Sequence, residues 1–164
     1  MTVPSDAELY DLAQKTGDYF INKHKWLCTA ESCTGGWLGK VLTDVTGSSA
    51  WYERGFITYT NQAKQDMLGV DNALLAEFGA VSEETAKAMA QGALKNSLAD
   101  QSVAITGIAG PGGGTDSKPV GLVWFAWADK NNAVIRAESV VFDGGREAVR
   151  RQAVRFALQN LISD

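Results

Sequence analysis

Three short apolar runs, WLCTA (26–30), GFITYT (55–60) and QSVAIT (101–106), are set apart by segments of helical period, and this alternation constrains the fold more than any other feature. Each run is too short for a helix and reads as a strand. The segments between them, 34–45, then 61–69, DNALLAEFGAV (71–81) closed by Gly79, and a longer one from Ser82, read as helices. Strands joined through helices run parallel, with the helices covering the sheet faces. Two further runs, LVWFAWA (122–128) and AVIRAESVVF (133–142), are joined by DKNN and read as an antiparallel hairpin, so the sheet is mixed. A final helix follows DGGRE and carries apolar residues at Ala148, Val149, Ala153, Phe156, Leu158 and Ile162. The expected class is an α/β sandwich with a five-stranded mixed sheet, one domain over 1–164.

Local signals support the helix ends. Ser5 caps the first helix, and Glu8 three residues on completes a capping box. Gly69 and Gly79 stop the next short helices. Ser82 caps a longer one whose first turn holds Glu83 and Glu84, where the helix dipole favours acids. Ala86, Met89, Ala90 and Ala93 form its inward face.

Composition narrows the function. The chain has 164 residues, 45% apolar and 21% charged, with a net charge of −4. That balance argues against nucleic acid and anionic membranes as partners. No run reaches the ~20 apolar residues of a membrane span. The start, MTVPSDAELY, lacks the pattern of a signal peptide, so a cytoplasmic location is expected. Cys28 and Cys33 make no disulfide framework, and His24 is the only histidine, so a zinc site lacks ligands. No metal or cofactor is expected. Five tryptophans suggest self-association, a homo-oligomer with a dimer favoured.

Four segments carry candidate chemistry. TAESCTGGW (29–37) lies where a strand gives way to a helix, the place where ligands bind in open α/β sheets. Ser32 or Thr34 could be a helix cap there, or Ser32 or Cys33 a nucleophile beside backbone amides able to hold an oxyanion. A triad would need His24, at the end of the first helix, so lysine is the remaining common base. TYTNQAK (58–64) puts Tyr59 and Lys64 after the second strand. Lys64 would need burial or a neighbouring cation to lose its proton near neutrality. TGIAGPGGG (106–114) follows the third strand, and its glycines let backbone amides approach a ligand. It is neither a Walker loop nor a dinucleotide fingerprint. Arg146, behind two glycines at a helix start, suits an anion. Arg150, Arg151 and Arg155 read as a solvated face or interface.

Taken together, TAESCTGG, GSSAWYERGFITYTNQAK, GAVSEE, TGIAGPGGGTDSKPVG and GGRE resemble, in order, the motifs of the C-terminal domain of the CinA (competence/damage-inducible) family in its stand-alone form. The resemblance runs from about residue 26 to 150. It implies a three-layer α/β/α sandwich with a five-stranded mixed sheet, and hydrolysis of the carboxamide of nicotinamide mononucleotide to nicotinate mononucleotide and ammonia. It assigns Ser32 as nucleophile, Lys64 as general base, Tyr59 as support for the pair and Arg146 near the site. Thr60 replaces a serine common in the family and keeps a hydroxyl. Beyond the resemblance, the amides of Thr34, Gly35 and Gly36 are expected to hold the oxyanion. Thr106, Arg146 and the 110–114 loop, with Gly110, Gly112 and Gly113, are expected to meet the phosphate. Two other readings are a non-catalytic nucleotide-binding module and an interaction domain linked to competence or DNA damage.

Overall fold

The computed structural model describes residues 2–131 and 135–162. Helix α1 spans Asp6–Lys23, and the Ser5–Glu8 capping box forms in both directions. His24 closes it in the left-handed conformation. Strand β1 (Leu27–Glu31) leads through a turn to α2 (Trp37–Thr43), and a single 3-10 turn (Ser48–Ala50) precedes strand β2 (Tyr52–Ile57). Helices α3 (Asn61–Leu68), α4 (Asn72–Phe78) and α5 (Glu83–Lys95) follow. Strand β3 (Gln101–Gly107), the hairpin of β4 (Leu122–Asp129) and β5 (Ile135–Val141), and α6 (Arg146–Leu161) complete the chain.

The sheet order is β2-β1-β3-β4-β5. The first three strands are parallel, and β4 and β5 run antiparallel to their neighbours. The expected strand 133–142 begins with Ala133 and Val134, which lie outside the described residues, as does Asn132 of its connection.

Strand alternation divides the core in two. Leu27, Val103, Ile105 and Phe125 pack under α1, α2 and α6. Cys28, Ala30, Ala104 and Ala126 face α5. The α5 side is built of small residues on both surfaces, Ala86, Ala90 and Ala93 against strand alanines, so that helix lies close to the sheet. The result is helices on both faces of a five-stranded mixed sheet. Trp51 and Trp127 are buried and only Trp26 of the five tryptophans is exposed, so the tryptophan count lends no weight to self-association. Among the described residues no helix is long and apolar enough to cross a membrane.

Two boundaries depart from the sequence expectation. Strand β2 begins three residues earlier than GFITYT, with Tyr52, Glu53 and Arg54. It is an edge strand, half open to solvent, so apolar residues are not required along it. It also ends earlier: Thr58 N–H still bonds the Glu31 carbonyl, but Thr60 already caps α3. Helix α2 starts at Trp37 rather than Thr34, because Gly35 and Gly36 take φ of 59° and 97°, outside the right-handed helix.

Gly92 marks where α5 crosses the end of α3. A Cβ there would stand 2.1 Å from the Leu68 carbonyl oxygen. Gly92→Ala should therefore destabilise by about 2 kcal/mol, overpacking outweighing the helix-propensity gain of up to ~1 kcal/mol. Chemical denaturation measures it, and a stabilised variant would show that α3 and α5 do not press together here.

Candidate active site

The three parallel strands end at the same rim of the sheet, and the segments that follow them meet there. Glu31, the last residue of β1, is buried, and its carboxylate accepts from Leu38 N–H (2.9 Å) and Gly39 N–H (3.0 Å). It thereby satisfies amides of the first turn of α2. The N-cap itself is Gly36, with no side-chain bond, so neither Ser32 nor Thr34 caps this helix. The acid of the motif does the capping, and its serine is left for another role.

Lys64 belongs to the first turn of α3, which is set by Thr60 Oγ1 accepting from Ala63 N–H. Helical side chains lean toward the N-terminus of their own helix, which sends this one inward. Lys64 is only 1% exposed, and its Nζ donates to Ser32 Oγ (2.9 Å) and to the Thr58 carbonyl (2.7 Å). Burial pushes its ammonium down from 10.5 to about 8. The positive end of α3 acts in the same direction. Ser32 is held from behind, its N–H donating to Ile105 of β3 (2.9 Å).

Cys33 also lines this cavity, but burial, reinforced by the Glu31 carboxylate, pushes its thiol up to about 12. It stays protonated and is a poor nucleophile. His24 lies at the start of β1, with the whole strand, roughly 17 Å, between it and Ser32. It cannot serve as base. Cys28 is a core residue.

The cavity over the pair holds about 270 Å³. Ser32, Lys64, Tyr59, Thr106, Gly110, Gly112, Gly113 and Arg146 all line it, with Val81, Ile108 and Ala109 as apolar wall. Arg146 donates to the Gly110 carbonyl and to Tyr59 Oη, both at 2.9 Å. Tyr59 is thus tied to Arg146, while the Thr58 carbonyl orients Lys64. Sequence reading missed that backbone group, because no side chain announces it. Thr106 also departs from expectation: its hydroxyl donates to the Ala80 carbonyl (2.7 Å), fixing the turn before α5 rather than pointing a free donor at a phosphate.

Thr34, Gly35 and Gly36 are not in this cavity. They line a separate, more open cleft of about 430 Å³ with Trp37, Lys40 and Arg150. Gly35 N–H is spent on the Ser32 carbonyl (3.0 Å), so that amide does not await an oxyanion. Among the described residues the amide of Thr34 has no protein acceptor, but Thr34 is fully buried. Arg150, read as a solvated residue, in fact donates to the carbonyls of Cys33 (3.0 Å) and Thr34 (3.1 Å). Its spacing of four from Arg146 was the available signal, since such residues share a helix face. Among the described residues no group of three or more His, Cys, Asp or Glu could hold a metal ion.

A buried lysine stands against a serine hydroxyl at the carboxyl ends of parallel strands, which sets a weakly held proton beside a hydroxyl oxygen. The chain belongs to the CinA family: the CinA C-terminal domain model matches residues 9–164. It is 52% identical over 158 residues to the nicotinamide-nucleotide amidohydrolase PncC of Escherichia coli K12, covering 96% of this chain and 94% of that protein. The PncC of Pseudomonas putida is 47% identical over 151 residues, 92% and 93% of the two chains. The crystal structure of the competence/damage-inducible protein CihA of Agrobacterium tumefaciens superposes with a TM-score of 0.92 at 47% identity, over 99% and 97% of the chains.

The buried ammonium has a stability consequence. Lys64 sits near 8 when folded and near its ordinary value when unfolded. Below pH 8 both states carry the proton and the folded state bears the full burial cost. As pH rises from 8 to about 10.5 the unfolded state holds more protons, so wild-type stability gains on that of Lys64→Met. Denaturation of both proteins across that range measures the gap, which should shift by about 3 kcal/mol. A gap independent of pH would contradict the lowered value.

Proposed function

We propose that this chain is a nicotinamide-nucleotide amidohydrolase that hydrolyses the carboxamide of nicotinamide mononucleotide to nicotinate mononucleotide and ammonia. The observation that carries the reading is the 2.9 Å contact between buried Lys64 Nζ and Ser32 Oγ, in a chain about half identical to proteins of that name. The same reading places the chain among cytoplasmic pyridine-nucleotide enzymes.

In this scheme neutral Lys64 keeps one N–H on the Thr58 carbonyl and takes the proton of Ser32 with its lone pair. Ser32 Oγ attacks the carboxamide carbon, and the charge develops on the carboxamide oxygen inside the cavity that Cys33 and Arg146 also line. Protonated Lys64 gives its proton to departing ammonia. Water, deprotonated by Lys64, then attacks the acyl carbon, and as the bond to Ser32 Oγ breaks, protonated Lys64 returns that proton to Ser32. Val81, Ile108 and Ala109 offer an apolar wall to the pyridine ring. The amides of Gly110, Gly112 and Gly113 donate to no protein acceptor among the described residues and suit the ribose phosphate, with the remaining N–H groups of Arg146. Tyr59, tied to Arg146, closes the rim of the site. The scheme calls on no metal or organic cofactor.

Ammonia release from nicotinamide mononucleotide tests the reading. Ser32→Ala should lose at least about 1000-fold in kcat, while Cys33→Ala should stay within about tenfold of wild type. Activity lost with Cys33 and kept with Ser32→Ala would overturn the mechanism. A folded wild type that releases no ammonia would overturn the substrate. Lys64→Arg should be as inactive as Ser32→Ala, because a guanidinium does not become a neutral base. Since the base must be unprotonated, kcat/KM should rise with pH to a plateau above about 8.

A further inference from the structure

Two walls of the cavity over Ser32 and Lys64 come from separate stretches of chain. The turn before α5 supplies Ala80 and Val81, and the glycine loop supplies Gly110, Gly112 and Gly113. The turn is fixed from the body of the fold. The hydroxyls of Ser82 (3.2 Å) and Thr85 (2.6 Å), at the start of α5, donate to the Gly79 carbonyl. Thr106 of β3 holds the next carbonyl, that of Ala80.

The glycine loop has no such bed. Its base is closed by Ile108 N–H on the Leu122 carbonyl and Gly121 N–H on the Ile108 carbonyl, both at 2.8 Å. Beyond Gly110, which Arg146 holds, every residue from Pro111 to Val120 is exposed except Lys118. Thr115 and Lys118 close a local turn: Thr115 N–H donates to the Lys118 carbonyl (2.8 Å), and Lys118 N–H to Thr115 Oγ1 (3.1 Å). From that turn Lys118 Nζ reaches across 40 positions and donates to the Phe78 carbonyl (2.5 Å). Phe78 ends α4, so its carbonyl is one the helix leaves unpaired, and the negative end of the dipole favours a cation there. Gly79 leaves room for the approach, since a Cβ at that position would stand 3.1 Å from Lys118 Nζ. The consecutive carbonyls of Phe78, Gly79 and Ala80 are thus taken by side chains of the loop, of α5 and of β3.

We infer that Lys118 is a positioning residue: it ties the exposed glycine loop to the turn before α5 and so fixes the phosphate-binding amides of Gly112 and Gly113 over the site. Lys118 does not line the cavity itself. It lines the cleft behind, with Phe78 and Trp124, and Val81 is the wall between the two. It therefore acts through the loop and not on the substrate. A glycine-rich segment without that tie has more conformations to lose when it closes on a ligand, and the loss is taken from binding. The inference deepens the amidohydrolase reading and rests on the glycine loop as the phosphate site.

The test uses Lys118→Met, Lys118→Arg and, as a control for lost surface charge, Lys15→Met on α1. Two measurements are made on each: kcat and KM for ammonia release from nicotinamide mononucleotide, and the concentration of ribose 5-phosphate that halves the labelling of Ser32 by a fluorophosphonate. Lys118→Met should raise both KM and the half-protecting concentration about tenfold, the loss of one charge-assisted hydrogen bond from binding. Its kcat, and its labelling rate without the sugar phosphate, should stay within about threefold of wild type, since the reacting pair is untouched. Lys118→Arg, which keeps the charge and donors, should fall between, and Lys15→Met should match wild type. A KM within about threefold of wild type in Lys118→Met would overturn the inference, as would a loss carried by kcat alone, or one matched in Lys15→Met. Protection that depends on Lys118 in a wild type inert toward the nucleotide would keep the tie and discard only the substrate. A wild type that neither turns over the nucleotide nor is protected by ribose 5-phosphate would overturn the phosphate site and the tie together.

Discussion

A lysine ammonium buried at the rim of the sheet, with a serine hydroxyl and one backbone carbonyl as its hydrogen-bond partners among the described residues, is the interaction around which the rest is arranged. Among the described residues no carboxylate pairs with it, so its charge is expensive to keep and the proton is held weakly. Everything that brings it there is structural. Thr60 starts α3 so that Lys64 falls in the first turn, β2 ends so that the Thr58 carbonyl points inward, and β3 holds Ser32 through Ile105. Such a site is a cost to stability accepted for function.

The charges around the pair are sorted by what they can reach. Glu31, one residue before Ser32, is buried but committed to two amides of α2, so this acid is not paired with Lys64. Arg146 and Arg150 stand four apart on α6 and bond backbone carbonyls rather than acids. Of the two, Arg146 lines the cavity over Ser32 and Lys64, and Arg150 lines the cleft beside it. The cavity needs both faces of the sandwich: α6 comes from one side, α3 and the turn before α5 from the other.

Much of this was legible in the sequence where the signal is local. The capping box at Ser5 and Glu8, the cap at Ser82, the glycine stops at Gly69 and Gly79 and the terminal hairpin all depend on neighbours within a few residues. Ser32 and Lys64 stood out by elimination and by resemblance, and the fold brings them into contact across 32 positions. What was not legible depends on distant partners or on backbone. Arg150 meets Cys33 and Thr34 across 117 and 116 positions, and its sequence neighbourhood looks like any solvated helix face. The Thr58 carbonyl carries no residue signature. The oxyanion expectation misplaced Gly35 because a glycine pair after a strand does not reveal which amide the turn itself consumes.

The most direct test is the titration of Lys64 itself, followed through its side-chain carbon and nitrogen resonances in the folded protein. The expected midpoint lies near 8, set by burial, and it changes when Ser32 is replaced by alanine. A midpoint at the ordinary lysine value, indifferent to Ser32, would mean that the amine is solvated and not poised against the serine, and the mechanism would fall with it.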